Sequence, residues 1–244
     1  MCVVIGVVEK HLSVSRLLRT LAVCLIAGGG GKQLLAQDPA APAAVPAAAD
    51  KRIFGVLPNY RTVDGWLPFV PISAKRKFWI AGKDSFDYPV YFLSGAFAAL
   101  NQLEDQSPEF GQGLKGYAKR YGASYADQAI GNLLTEGLYP AMLHEDTRYF
   151  RKGDGRKWGR FGYAASRVIV NRTDKGTWAF NAAEWLGSGS AVAISNLYYP
   201  PETRNVSDNT QKLLIQVATD SFSNVLKEFW PDLKRKLLSK KSAQ

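Results

Sequence analysis

Beyond the first 37 residues the chain has a single histidine, His144, within Leu143-His144-Glu145-Asp146-Thr147-Arg148-Tyr149-Phe150. A histidine, two carboxylates and an arginine in five residues supply the parts of a base, an orienting acid and an anion clamp. With Glu136 upstream and Arg167 as a second cation, they would serve a small hydrolase or transferase. Spacing weighs against this. Neighbours on a helix project about 100° apart, so His144, Glu145 and Asp146 converge only from a loop. The other reading is a helix end, with His144 near the carboxyl-terminal dipole and Asp146 paired with Arg148.

Metal and cofactor chemistry have little foothold, and none is expected. No second histidine and no cysteine stands in this part of the chain, so a zinc site would need three carboxylates, an atypical set. Gly111-Gln112-Gly113-Leu114-Lys115-Gly116 has the outline of a dinucleotide fingerprint without the strand that should precede it. Ser188, in Gly187-Ser188-Gly189, lacks the nucleophile-elbow spacing.

Polar residues also interrupt otherwise apolar helical stretches: Asp127, Asn132 and Glu136; Arg167; Glu184 and Asn196; Asp220 and Asn224. Buried carboxylates need partners, and Arg167 is the obvious one. Such a network is either a structural clasp or the floor of an active site. Asp127 and Glu136 lie nine residues apart, on roughly opposite faces of a straight helix. Glu136 precedes a break at Gly137 and Pro140, so it is expected to be the acid turned inward, neutralised by Arg167 or Arg148.

The elements that must position these groups read as helices. Ser73 is an N-cap before Ala74-Lys75-Arg76-Lys77-Phe78-Trp79-Ile80. Apolar periodicity then runs through residues 88–103, 113–143, 162–170, 182–198 and 210–229, and Pro231 is expected to stop the last. No segment alternates at period two. The reading is all-α: a single compact bundle of five to seven helices over residues 51–237, with an extended N-terminal strap broken by Pro58, Pro68 and Pro71. Residues 238–244 form a basic C-terminal tail.

Small residues recur four apart at Ala183, Gly187, Ala191 and Ser195, at Ala118, Gly122 and Ala126, and at Gly95 and Ala99. Glycine inside a helix costs about 1 kcal/mol against alanine, so these ladders predict close helix crossings, as in lipid-embedded bundles. Tyr88–Leu103 and Trp185–Pro201 carry no charge over 16 and 17 residues, the short limit of a membrane span. An integral helical membrane protein is therefore a further reading, with Trp185, Tyr198 and Tyr199 as interface belts.

Residues 1–37 have the layout of a secretory signal: Arg16 and Arg19, the apolar run Leu21 to Ala27, and small Ala36 at the exit. Residues 38–50, DPAAPAAVPAAAD, read as a disordered Pro/Ala linker. The net charge of +10 falls to about +7 once Lys10, Arg16, Arg19, Lys32 and Glu9 are removed with the signal. Both cysteines, Cys2 and Cys24, leave with it, so packing alone must hold the remainder together. A basic exported chain suits a membrane surface or an anionic envelope component, and does not suit nucleic acid.

Six motifs carry a resemblance. They are Ile53-Phe54-Gly55-Val56-Leu57-Pro58-Asn59-Tyr60-Arg61, Asp84-Ser85-Phe86-Asp87-Tyr88, Pro108-Glu109-Phe110-Gly111-Gln112-Gly113, His144 to Phe150, Ser195-Asn196-Leu197-Tyr198-Tyr199-Pro200 and Lys227-Glu228-Phe229-Trp230-Pro231-Asp232. Together they resemble an uncharacterised family of small exported bacterial proteins, over essentially Lys51 to Leu237. The resemblance implies export and one shared domain, and no activity. The expected function is a non-catalytic envelope protein, structural or binding; the alternative is a small periplasmic hydrolase or transferase using Glu136, His144, Glu145, Arg148 and Arg167.

Overall fold

The computed structural model describes residues 52–53, 57–59 and 61–241. The expected signal and linker lie outside them, and the expected strap lies within them only in part. Helix dominates, as the sequence reading has it: α1 (Ala74–Ser85), α2 (Tyr88–Leu103), α3 (Gly113–Asn132), α4 (Tyr139–Leu143), α5 (Lys157–Ala165), α6 (Ala182–Ser195) and α7 (Val206–Lys241). A π-helical segment, Leu133–Leu138, fuses α3 and α4 into one rod. The described residues thus build an all-α bundle of six helical rods.

Local chemistry sets the helix starts. The Ser73 hydroxyl accepts from the Arg76 N–H at α1, and Asp87 accepts from the Tyr88 N–H at α2. The break expected near Gly137 and Pro140 takes the form of the π segment, one of the ordinary ways a helix accommodates an interruption.

The sequence contains more extended chain than its periodicity shows. β1 (Arg52–Ile53) pairs antiparallel with β2 (Leu57–Pro58). β3 (Thr62–Asp64) pairs in parallel with β4 (Tyr149–Arg151), and β5 (Val170–Arg172) pairs antiparallel with β6 (Trp178–Phe180). Strands of two or three residues are too short to show a period. The helix expected over 162–170 is accordingly displaced: α5 ends at Ala165, a 3-10 turn spans Ser166–Val168, and Val170 opens the hairpin.

Pro231 does not stop α7, which runs through it and on into the expected tail. Proline removes one helical N–H and crowds the preceding turn, but Arg160 of α5 grips both sides of the interruption. Its Nε donates to Glu228 Oε1 at 2.8 Å, its Nη2 to the Glu228 carbonyl at 2.8 Å and its Nη1 to Asp232 Oδ2 at 2.5 Å. Tertiary bonds outweigh the local cost. No described helix is long and apolar enough to cross a membrane, and the supposed belt residues turn inward. Tyr198 and Tyr199 donate to the Asp127 carboxylate, and Trp185 Nε1 donates to the Val168 carbonyl.

The three small-residue ladders differ. Ala183, Gly187, Ala191 and Ser195 are all buried on one face of α6, and that face lies on the π segment. A Cβ at Gly187 would sit 2.8–3.0 Å from Thr135 Cγ2, N and Cα. Gly95 instead faces the side chains of Tyr117 and Tyr121, and Gly122 faces open space. Only the first ladder is a backbone-to-backbone crossing. Gly187→Leu is expected to cost about 1–3 kcal/mol or more, because backbone atoms cannot yield as a side chain can. An unchanged thermal melt would show the crossing to be loose.

Candidate functional site

The α6 face that meets the π segment, with α7 and the chain before β3, encloses a cluster of charged side chains. The π segment supplies Glu136, the last turn of α1 Asp84, the first turn of α6 Glu184, and α7 supplies Asp220, Asn224 and Lys227. Asp220, Asn224 and Lys227 follow i, i+4, i+7 spacing, so one helix face carries all three. Arg61 enters between them. Its Nη1 lies 2.8 Å from Glu136 Oε1 and its Nε 3.4 Å from Asp84 Oδ2. The same Nη1 donates to the Thr147 carbonyl at 3.3 Å.

Electrostatics follow from burial and from the excess of carboxyls over cations. Burial pushes the Glu136 carboxyl well above its usual range; Arg61 pulls it back and Asp84 raises it again. Burial also raises Glu184, as do the charge of Asp220 and a hydrogen bond to it, which places a proton on Glu184. Lys227, itself buried, is pushed down to about 8 by burial and by Arg61, against the pull of Asp84, Glu136 and Asp220. Burial and the neighbouring acids thus favour the protonated form of both carboxyls more than bulk water does.

Arg61, Glu136, Thr147, Glu184, Asp220 and Asn224 line a cavity of about 50 Å³. Glu136 Oε2, Thr147 Oγ1 and Glu184 Oε1 are buried there without a hydrogen-bond partner. A space of this size and polarity suits one or a few water molecules, which need two to four polar partners each. It does not suit an organic substrate. No group of His, Cys, Asp or Glu disposed to hold a metal ion occurs among the described residues, and here the carboxyls already face Arg61 and Lys227.

A second charged knot adjoins it. Glu228, completely buried, accepts from the Tyr149 hydroxyl at 2.7 Å, from the Lys152 and Gly153 N–H groups at 2.9 Å each, and from Arg160. Both carboxylate oxygens are bonded, and three chain segments are tied together. Burial and the Glu228 charge push the Tyr149 hydroxyl far above its usual range, so it stays a donor.

The five residues singled out by the sequence are split. Glu136, Arg148 and Arg167 line the cavity, and Glu136 is buried as expected. Its partner is Arg61, which corrects the assignment to Arg167 or Arg148. Arg148 is committed to fully buried Asp146, Nη2 to Oδ2 2.6 Å, and to the Val70 carbonyl. Arg167 lies between the rings of Tyr163 and Trp178, 4.3 and 4.4 Å from their centroids, and donates to the Tyr163 carbonyl.

His144 and Glu145 lie elsewhere. His144 caps α4 in the left-handed conformation, φ 57°, with its side chain 84% exposed. Glu145 accepts from the N–H groups of Ala182 and Ala183 at 3.1 and 3.3 Å, where a carboxylate favours the start of α6. The convergence of His144 with Glu136 and Arg167 is therefore not formed. Asp127 is only half-buried: its carboxylate accepts from the Tyr198 and Tyr199 hydroxyls, with Lys212 nearby. Arg61 and Lys227 were not singled out. Arg61 sits in a proline-rich stretch without periodicity, whereas Lys227 was detectable as the i+7 partner of Asp220.

Comparisons with protein-family models, curated proteins and solved structures gave no match.

Two outcomes follow from the cluster. Arg61→Met leaves Glu136 and Asp84 without their cation and is expected to cost about 3–5 kcal/mol in denaturant unfolding. Stability should also fall as pH rises. Glu136 and Glu184 have folded pKa values above their ordinary 4.5, so their contribution is complete below that pH and lost as pH climbs through the folded values. Lys227 acts oppositely: between about 8 and 10.5 the unfolded chain holds a proton that the folded one lacks, so stability is regained there. Melting temperatures should decline as pH rises above the ordinary carboxyl value of 4.5, and Glu184→Gln should flatten the decline. An identical slope in the variant would overturn the protonation assignment.

Proposed function

We propose that this protein is an exported, non-catalytic envelope protein that lies on an anionic membrane surface, its charges clasped inside and an apolar face turned outward. One observation carries the reading: several charged side chains are fully buried while large apolar ones stand in solvent. Arg120, Lys77, Glu228 and Asp146 are among the largest fully buried side chains, whereas Phe92, Leu103, Leu114 and Trp158 are 75–85% exposed.

Several of the exposed apolar residues lie with cations along α1 and α2. Tyr88, Phe92, Ala99 and Leu103 share one face of α2 by their spacing. On α1, Trp79 lies beneath the Arg76 guanidinium at 4.0 Å and near the Lys83 ammonium at 4.6 Å. Phe78 and Phe86 stand exposed beside exposed Lys75 and Lys83. The acids of this stretch turn away: Asp84 is buried on Arg61, and Asp87 pairs with Arg52. Interleaved cations and aromatics beside an apolar helix face are the make-up of an interfacial segment drawn to anionic lipid.

The interior supports a structural role. Its polar cavity has the volume of a water site, and His144 stands in solvent, away from Glu136. The layout of residues 1–37, outside the described residues, and the resemblance to small exported proteins support the export part of the reading.

Vesicle co-sedimentation tests the surface. The protein should pellet with vesicles containing phosphatidylglycerol and far less with phosphatidylcholine alone. Phe86→Glu combined with Phe92→Glu, both at exposed positions, should abolish pelleting while leaving the melting temperature nearly unchanged. Undiminished pelleting of the double variant would refute the assignment of this face.

A further inference from the structure

A larger cleft, of about 140 Å³, opens on another part of the molecule, between the end of α2, the middle of α3, the end of α6 and the start of α7. Phe97, Val192, Tyr199 and Ile215 give it apolar walls, and Phe97, Val192 and Tyr199 are buried. Five amide side chains surround them: Asn101, Gln106, Gln128, Gln211 and Gln216. None of the five hydrogen-bonds another described residue through its side chain. Each carries two donors and a carbonyl acceptor. Gln216 packs against Gly131 of α3, and the amides together give one concave surface many donors and acceptors that a ligand could use.

The charged groups narrow the ligand. Lys212 Nζ donates to Ser195 Oγ at 3.3 Å and lies 3.5 Å from the centroid of Tyr199. Glu104, Asp127 and Asp208 also line the cleft. An anion would meet the three carboxyls and a cation would meet the ammonium, although both oxygens of Asp127 already accept from Tyr198 and Tyr199. A neutral molecule bearing many hydroxyls can use both, donating to carboxylate and amide oxygens while accepting from the ammonium and amide N–H groups. Its C–H face would lie on the apolar walls. A cavity of about 150 Å³ accommodates a benzene ring, so this cleft takes one six-membered ring, with substituents reaching the exposed rim at Gln106.

We propose that this cleft binds the ring of a single neutral sugar, held by Lys212 and the amides of Gln128 and Gln211. The proposal does not depend on the membrane reading, because neither Lys212 nor these amides belongs to the lipid-facing surface.

The test is ligand-observed saturation-transfer NMR on the full-length protein, titrated separately with glucose, galactose and N-acetylglucosamine. At least one of these sugars should give saturable binding, and acetate and trimethylammonium should give none. Lys212→Met and Gln128→Leu should each weaken it about tenfold, the factor that goes with losing one well-made polar contact, with melting temperatures close to that of the parent protein. Should Lys212→Met fail to fold, Gln211→Leu at the partly exposed edge serves in its place. Absence of saturable binding by all three sugars would overturn the proposal. So would binding of either ion instead, or affinity unchanged in the folded variants.

Discussion

Arg61 is the residue around which the interior is arranged. It comes from a stretch with no helical character, yet it reaches carboxyls from α1 and the π segment and the backbone before β4. Asp84, Glu136, Glu184 and Asp220 could not be brought together by helix packing alone, since like charges in a poorly solvated space repel strongly. A single delocalised cation, helped by Lys227 and by the raised proton affinity of the acids, makes that assembly tolerable. The guanidinium suits this task because its fork meets two carboxylates at once and it does not lose its charge on burial.

The rest of the bundle applies the same solution at other points. Lys77 reaches from α1 to Asp174 and the Pro140 carbonyl. Arg120 donates to the carbonyls of Gln106, Ser107 and Gly111, which fixes the turn before α3. Arg160 ties α5 to α7, and Arg148 holds Asp146. Without a cysteine beyond residue 37, stability rests on packing and on these buried polar joints. Such joints are weak contributors to net stability but costly to break singly, and each ties together segments far apart in sequence.

The helices were legible because their signals are local: Ser73 as a cap, the apolar period of α7, the small-residue ladder of α6. The strands were not, since pairs such as Thr62 with Tyr149 depend on segments 87 residues apart and leave no period of their own. Within the cluster, Glu136 was legible from the break that follows it. Its partner was not, because the geometry that brings Arg61 inward belongs to the β3–β4 pairing. His144 misled for a complementary reason. Proximity in sequence gathers residue types, but a left-handed cap directs each side chain separately.

The π segment also sets a phase. A π turn accommodates one residue more than an α turn, so every residue after it is rotated by about 100° relative to an uninterrupted helix. Upstream of Leu133 the rod addresses α2 and the cleft; downstream, Pro140 presents its carbonyl to Lys77 and to the Glu145 N–H. The inserted residue therefore acts as a gear between two interfaces that a straight helix could not serve together. Seen this way, the length of Leu133–Leu138 matters more than its composition. A one-residue deletion there could keep every side chain type and still misalign half the bundle against the other.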